Sequence, residues 1–323
     1  MSQAVPTIPL VTRSRSARAS PLSALQRRTV SDLLDPRGGR TFPAGLAQDL
    51  RRELEGAVDP FLPWPGDALS LSKERLNALG RCEGLFDADI SGERPPFVHG
   101  PASAAGTLAH KSIEIDVRSP VEHDPATVVR VAMERLQRDR QFRPYWDELT
   151  EQRRTDLLHR ARGSVCRFRS SFPSVRAFRR GLAPRTELWL ETPLGGGAVV
   201  LRGKVDLLLG VSRAGTATRV LIDLKDGRPS LDHAEDMRLY ALLYTLRTGA
   251  PPFRVATFFL SSGDWQPEDV SEDVIWHAAA RVSDAVRTAA RLRSGVQPAL
   301  RPGRHCARCP RAATCPAVVG DSP

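Results

Sequence analysis

The sequence predicts an α/β fold in which a mixed β-sheet is flanked by helices, and three observations carry that prediction. Short apolar runs separated by turn signals occupy the stretch from Thr186 to Lys225 and read as a strand meander. A further apolar run, Phe253 to Leu260, is reached only after a helix-length segment from Leu231 to Leu246. The flanking chain carries helical periodicity. A sheet interrupted and followed by helices must bury both of its faces, and layered α/β packing does so.

From the N-terminus, Met1 to about Thr29 contains Arg13, Arg15, Arg18, Arg27 and Arg28, several serines and prolines, and no acid. It is expected to be a disordered basic tail; an organellar transit peptide shares the composition, but the amphipathic period is missing. A short helix is expected between Pro43 and Val58, and the prolines at 60, 63 and 65 then break the chain. The expected division is 1–60 for tail and short helix, 61–318 for the main domain and 319–323 for a final tail. Residues 126–180 read as successive helices, with Val128, Val129, Val131, Ala132 and Leu136 giving one of them an apolar face, and are expected to form a helical insertion over a cleft. Thr186 to Glu191 and Ala198 to Leu201 are strands joined through Gly195, Gly196 and Gly197. Glu187 and Glu191 alternate on the solvent face of the first. Asp273 to Arg293 is a long helix whose Arg281, Arg287, Arg291 and Arg293 face partly to solvent.

Two acids do not suit this pattern. Asp206, in Gly203 to Leu209, and Asp223, in Arg219 to Lys225, each interrupt an apolar strand that would otherwise be buried. A buried strand tolerates a carboxylate only when it is paired or coordinates a cation, so the two together suggest a metal site. Lysine usage adds to this. Of 47 basic residues only Lys73, Lys111, Lys204 and Lys225 are lysine, so arginine serves wherever a generic cation is enough. Lys225, two residues past Asp223, therefore fits a role that needs a compact ammonium. Asp-x-Lys following a second acid is the pattern that metal-dependent phosphodiester cleavage requires.

Further motifs stand in a fixed order around these residues. Gly106 to Glu114 is a helical segment with His110 at its centre; then come Gly203-x-x-Asp206, Asp223-x-Lys225-x-Gly227, and Asp236-Met237-Arg238-Leu239-Tyr240 on the next helix. In this order the chain, from about Leu71 to Cys315, resembles the RecB-like branch of the PD-(D/E)XK nuclease superfamily, which includes the AddB nuclease domain and the CRISPR-associated RecB-like exonucleases. The resemblance implies a restriction-endonuclease-like core and a metal-dependent DNA nuclease. It implies that His110, Asp206 and Asp223, with the Leu224 carbonyl, hold one or two Mg²⁺ or Mn²⁺ ions, and that Lys225 orients the attacking water. Tyr240 would position Lys225 or the nucleic-acid strand. Asp236 departs from the family's Q-x-x-x-Y, leaving its own role open. His233 is expected to cap a helix or lie on the surface.

The cysteines form a second constellation. Cys306, Cys309 and Cys315 make a C-x2-C-x5-C run whose thiols are close enough to be ligands, and a fourth ligand must come from elsewhere. Cys82 is placed like the distant first cysteine of iron–sulfur members of the family, where a cluster clips the N-terminal helix to the C-terminus. Four thiolates suit a [4Fe–4S] cluster or a structural Zn²⁺, with His305 a substitute ligand in the zinc case. Cys166 reads as a small buried hydrophobe. Five cysteines arranged as ligands do not resemble a secreted disulfide framework.

The net charge of +10 and pI near 10.1 suit a phosphate-backbone partner. No stretch has the apolar length of a membrane span, and a cytoplasmic location is expected. With no G-x-x-x-x-G-K-[ST] loop, any ATP-driven step would need a separate helicase. The expectation is a DNA exonuclease or single-strand-preferring nuclease of repair, recombination or defence, working with a helicase or with a defence or CRISPR protein. Two other classes remain open: a catalytically silent DNA-binding or assembly module, and a zinc-stapled interaction scaffold.

Overall fold

The computed structural model describes residues 22–34, 40–172, 182–211 and 216–319. The greater part of the expected basic tail, residues 1–21, and the end of the expected helical insertion, residues 173–180, lie outside them. The helices are α1 (Ala24–Thr29), α2 (Leu46–Val58), α3 (Lys73–Arg81), α4 (Glu83–Ile90), α5 (Pro101–Arg118), α6 (Pro125–Leu136), α7 (Phe142–Asp147), α8 (Glu151–Ser171), α9 (Leu231–Thr248), α10 (Glu272–Arg293) and α11 (Pro316–Val319). The strands are β1 (Leu69–Leu71), β2 (Arg185–Leu194), β3 (Val199–Leu209), β4 (Val220–Lys225), β5 (Arg254–Phe259) and β6 (Trp265–Asp269).

Local chemistry sets many of these boundaries. Asp124 accepts from the backbone N–H groups of Ala126 and Thr127 to start α6, with Pro125 at the first helical position. Ser230 and Ser271 cap α9 and α10 in the same way. Gly249, at φ 78°, ends α9 in the left-handed conformation that a glycine adopts without penalty.

The strands form one mixed sheet in the order β1-β3-β4-β5-β6, with β2 on the other edge of β3. β3 runs antiparallel to β2 and β4 and parallel to β1, and β4 runs parallel to β5. Side-chain alternation divides the interior. Val205, Leu208 and Leu221 pack with α2, α3, α4, α9 and α10 on one face, through residues such as Leu50, Leu54, Leu242 and Val282. Leu207, Leu209, Ile222 and Leu224 pack with α5, α6 and α8 on the other, through Leu108, Val129 and Val165. The helices read as an insertion are therefore the layer covering this second face.

Two expectations are corrected. Ala24–Thr29 is helix rather than tail: Gln26 donates to the carbonyls of Arg169 and Phe172, and Thr29 to that of Ser171, fixing α1 to α8. Cys166 is exposed. The buried stripe of α8 runs through Leu157, Ala161, Ser164, Val165 and Phe168, and the residue after Val165 is turned about 100° away from it. No helix among the described residues is long and apolar enough to cross a membrane.

The second interior is anchored by aromatic packing. Phe258 is fully buried, with its ring edge-on to Phe168 at 5.8 Å and to Phe172 at 5.0 Å. Phe258→Ala is expected to lower the free energy of unfolding by about 3–5 kcal/mol in a urea titration, because it leaves a cavity and removes those contacts. Trp189→Ala, at a position 65% exposed, should shift the midpoint far less.

Candidate active site

A notch in the sheet makes the site. β2 follows one edge of β3 along its length, so β1, paired at 199–201, and β4, paired at 207–209, must share the other edge. Residues 202–206 lie between them on that edge. The Asp206 carboxylate turns into the gap, where Oδ2 accepts from the Leu224 backbone N–H at 2.7 Å. A side chain thus satisfies a main-chain donor at the end of β4.

The backbone is contorted at the same place. Glu187 lies across from Asp206 and adopts φ 54°, a left-handed conformation that costs a non-glycine residue about 1–3 kcal/mol. The strands change faces here: Leu188 and Val205 belong to the first interior, whereas Thr186 bonds Arg118 of α5 and Leu207 belongs to the second. This reversal turns both Asp206 and its neighbour Leu207 toward the α5 side. There, His110 Nδ1 lies 3.3 Å from Asp206 Oδ1.

Asp223 sits on the far side of the notch, 3% exposed. Lys225 Nζ is 2.5 Å from its Oδ2, but the approach is not aligned for a hydrogen bond, and Oδ2 is a buried oxygen without one. Lys73, the first residue of α3, places Nζ 3.6 Å from Asp223 Oδ1 and 3.4 Å from Asp236 Oδ2. Its ammonium also lies 5.4 Å from the centre of the Tyr240 ring. Asn77 donates to Asp236 Oδ1 at 2.8 Å.

Burial and charge act in opposition on these groups. Burial works to raise the Asp206 carboxyl, yet the His110 imidazolium, the bonds from His110 and Leu224, and Lys225 together bring it down to about 2. Burial disfavours protonated His110, but Asp206 and Asp223 hold it above the ordinary histidine value. Desolvation raises Asp236 more than Lys73 and Asn77 lower it. Burial lifts the Tyr240 phenol against the nearby Lys73, and the acids around Lys73 keep that lysine protonated despite its burial. His233 is half-buried rather than on the surface, its ring 5.7 Å from that of Phe259, and desolvation lowers it.

The structure therefore brings together His110, Asp206, Asp223, Leu224 and Lys225. Of the two roles expected of Tyr240, toward Lys225 or toward the nucleic-acid strand, the contact to Lys225 is replaced by one to Lys73, and the ring packs so closely on β3 that a Cβ at Gly203 would lie 2.8 Å from it. Sequence reasoning missed Lys73, although the signal was present. Lys111, Lys204 and Lys225 line a 620 Å³ cleft beside the acids, together with His110, Arg160 and Glu187. With Lys73 at Asp223, all four lysines of the chain are at the site.

The other constellation assembles at the chain's end. Cys82, Cys306, Cys309 and Cys315 line one cavity of 510 Å³, as does His305. Cys82 Sγ accepts from the Arg301 N–H at 3.4 Å and Cys306 Sγ from that of Gly303 at 3.3 Å. Glu83 holds Arg291 at 2.6 Å and the Ala299 N–H at 2.8 Å, and Arg311 pairs with Asp87 and Glu93. These contacts fasten the C-terminal segment to α4.

A family model, described as PD-(D/E)XK nuclease superfamily, matches residues 70–316, which span the notch and the cysteines alike. The chain belongs to the PD-(D/E)XK nuclease superfamily. No curated protein matches it. Among solved structures, a provisionally assigned exonuclease from Eubacterium rectale is similar at 11% identity and TM-score 0.45, covering 88% of this chain and 95% of that one. The protein SSO0001 is similar at 14% identity and TM-score 0.33, covering 84% and 97%. The assignment rests on the family match and not on these distant likenesses.

PD-(D/E)XK nucleases typically use Mg²⁺ or Mn²⁺. Among the described residues no three His, Cys, Asp or Glu side chains converge as a ready metal-binding group. The notch nonetheless fits such an ion by chemistry: two buried carboxylates, one with an oxygen that accepts no hydrogen bond, are the hard donors it takes.

The coupled His110–Asp206 pair has a pH signature. Asp206, depressed from 3.8 to about 2, contributes stability that is present above pH 3.8 and is lost as pH falls through its folded value. His110, raised from 6.5, contributes stability present below pH 6.5 and lost as pH rises through its folded value. In metal-free protein the His110 imidazole, followed by NMR, should titrate above 6.5, and Asp206→Asn should bring its midpoint down.

Proposed function

We propose that this PD-(D/E)XK nuclease is a deoxyribonuclease that depends on Mg²⁺ or Mn²⁺ and prefers single strands or ends. The observation that carries the reading is the convergence of Asp206 from β3 with Asp223 and Lys225 from β4 beside a cleft that holds three of the four lysines. His110, Asp206, Asp223 and the Leu224 carbonyl would hold the ion. When bound, it supplies an activated water and neutralises charge on the phosphate oxygens.

The chain's own groups account for the rest. Lys111, Lys204 and Arg160 on the cleft wall attract and seat the phosphate backbone. Lys225, at the open end of β4, orients the attacking water with an ammonium that can donate in three directions. The Leu224 N–H and His110 fix the Asp206 carboxylate, so its oxygens do not reorganise during attack. A repair, recombination or defence setting in the cytoplasm, with a separate helicase or a defence or CRISPR protein as partner, belongs to the same reading. We further infer that Cys82, Cys306, Cys309 and Cys315 ligate a [4Fe–4S] cluster; what supports this is that all four line one cavity where the chain's end is fastened to α4, and ligation would draw their sulfurs together.

Purified protein with Mg²⁺ or Mn²⁺ should degrade DNA, and EDTA should stop it. Asp206→Ala, Asp223→Ala and Lys225→Ala should each lower the rate by about 100-fold or more while the far-ultraviolet circular dichroism is retained. Lys225→Arg should be equally inactive, because a planar guanidinium cannot replace a compact ammonium in a confined site. An active Lys225→Arg, or protein that binds DNA with every metal and cuts it with none, would favour a silent binding module.

Anaerobically purified protein should be brown and carry about four irons per chain. Cys82→Ala should bleach it and lower the melting temperature, whereas Cys166→Ala, at an exposed position away from the cavity, should do neither. Colourless protein with one bound zinc would replace the cluster by the zinc staple.

A further inference from the structure

Lys73 is held more closely than a surface cation needs to be. It opens α3, and four residues later the same helix presents Asn77, so one helical face offers two donors one turn apart. Both grip Asp236 of α9: Lys73 approaches Oδ2 at 3.4 Å and Asn77 donates to Oδ1 at 2.8 Å. Asn77 is itself braced by Arg281 of α10, whose second nitrogen pairs with Glu235 at 2.7 Å. The Tyr240 ring completes the enclosure. Asp236 is 5% exposed, so this is a buried ion pair with a prepared set of partners.

The free side of that ammonium points at Asp223. It lies 3.6 Å from Oδ1, while Oδ2 has no hydrogen-bond partner and meets Lys225 alone. The two lysines thus divide the carboxylate between them, on unequal terms. Lys73 is fixed by Asp236 and Tyr240, whereas Lys225 lines the open cleft and can withdraw into it. A cation arriving at Asp223 meets one oxygen held and one that can be released.

We propose that Lys73 is a positioning residue of the active site: clasped by Asp236, it holds Oδ1 of Asp223 and thereby presents Oδ2 to the divalent cation. The inference rests on the metal reading above and adds a partner that determines how the ligand is aimed. Groups that orient a metal ligand are worth about 10–100-fold in metal affinity, and that range sets the expected effect. A bare electrostatic role would act the other way, because removing a positive charge beside a cation site should tighten cation binding.

The test is Mn²⁺ binding to the full-length protein without nucleic acid, read by electron paramagnetic resonance. Lys73→Met should weaken binding by about 10-fold or more, and Asp236→Asn should weaken it too by freeing Lys73 from its clasp. The double variant should bind no more weakly than Lys73→Met alone, since both changes remove the same device. Melting curves in EDTA establish folding, and should Lys73→Met fail to fold, the charge-balanced double variant measured against the parent carries the comparison, with the same weakening of about 10-fold or more expected and unchanged binding overturning the inference. Unchanged binding in Lys73→Met would overturn the inference, and tighter binding would make Lys73 a competitor for Asp223 instead. Parent protein that binds no Mn²⁺ would overturn the metal reading itself and this inference with it.

Discussion

A buried carboxylate has to be paired, and the architecture around the notch answers that requirement. Asp206 is satisfied by a main-chain N–H from β4 and an imidazole from α5, so one side chain on β3 joins a neighbouring strand to a helical layer. Asp223 draws a lysine from its own strand and another from α3, and Asp236 brings in α9. Removing one partner from such an arrangement leaves an uncompensated charge in a poorly solvated place, which costs about 3–5 kcal/mol. The acids are therefore costly to keep and hard to change singly.

The same requirement explains the strain beside them. A regular β2–β3 ladder would alternate faces without interruption. At Glu187 and Asp206 it does not, and the left-handed Glu187 is where the irregularity is absorbed. Its carboxylate reaches Lys204 at 2.5 Å, so the strained residue is also tethered by charge. Strain of this kind persists only where the surroundings over-determine it. Pairing of β2 on both sides of Glu187, together with the Arg118 contact to Thr186, supplies that determination.

Much of the sheet and part of the site were legible in the sequence, for a physical reason. The strands from Thr186 to Lys225, the helix after Ser230 and the long helix to Arg293 are each written in local periodicity. Asp206, Asp223 and Lys225 stood out because they break an apolar pattern or a lysine-poor one. What escaped depends on partners distant in the chain. Lys73 meets Asp223 across 150 residues of sequence, and nothing near Lys73 in the sequence indicates it. Tyr240 shares a motif order with Lys225, which suggests that lysine or the nucleic-acid strand as its partner, whereas the close approach of α9 to Gly203 turns its ring to Lys73. Cys166 fell on the wrong side of α8 because one residue of rotation separates its buried stripe from solvent. The lysine scarcity that singled out Lys225 applied equally to the other three.

One helix spans the two constellations. α3 starts with Lys73 beside the acids and ends against Cys82, whose sulfur lines the cysteine cavity. Nine helical residues form a stiff rod about 13 Å long, so the ends cannot move independently. A displacement of Cys82 along that axis arrives at Lys73 nearly undiminished, as at the two ends of a lever. Pressure on the Cys82 end is therefore transmitted mechanically to Lys73 and to the carboxylates it touches.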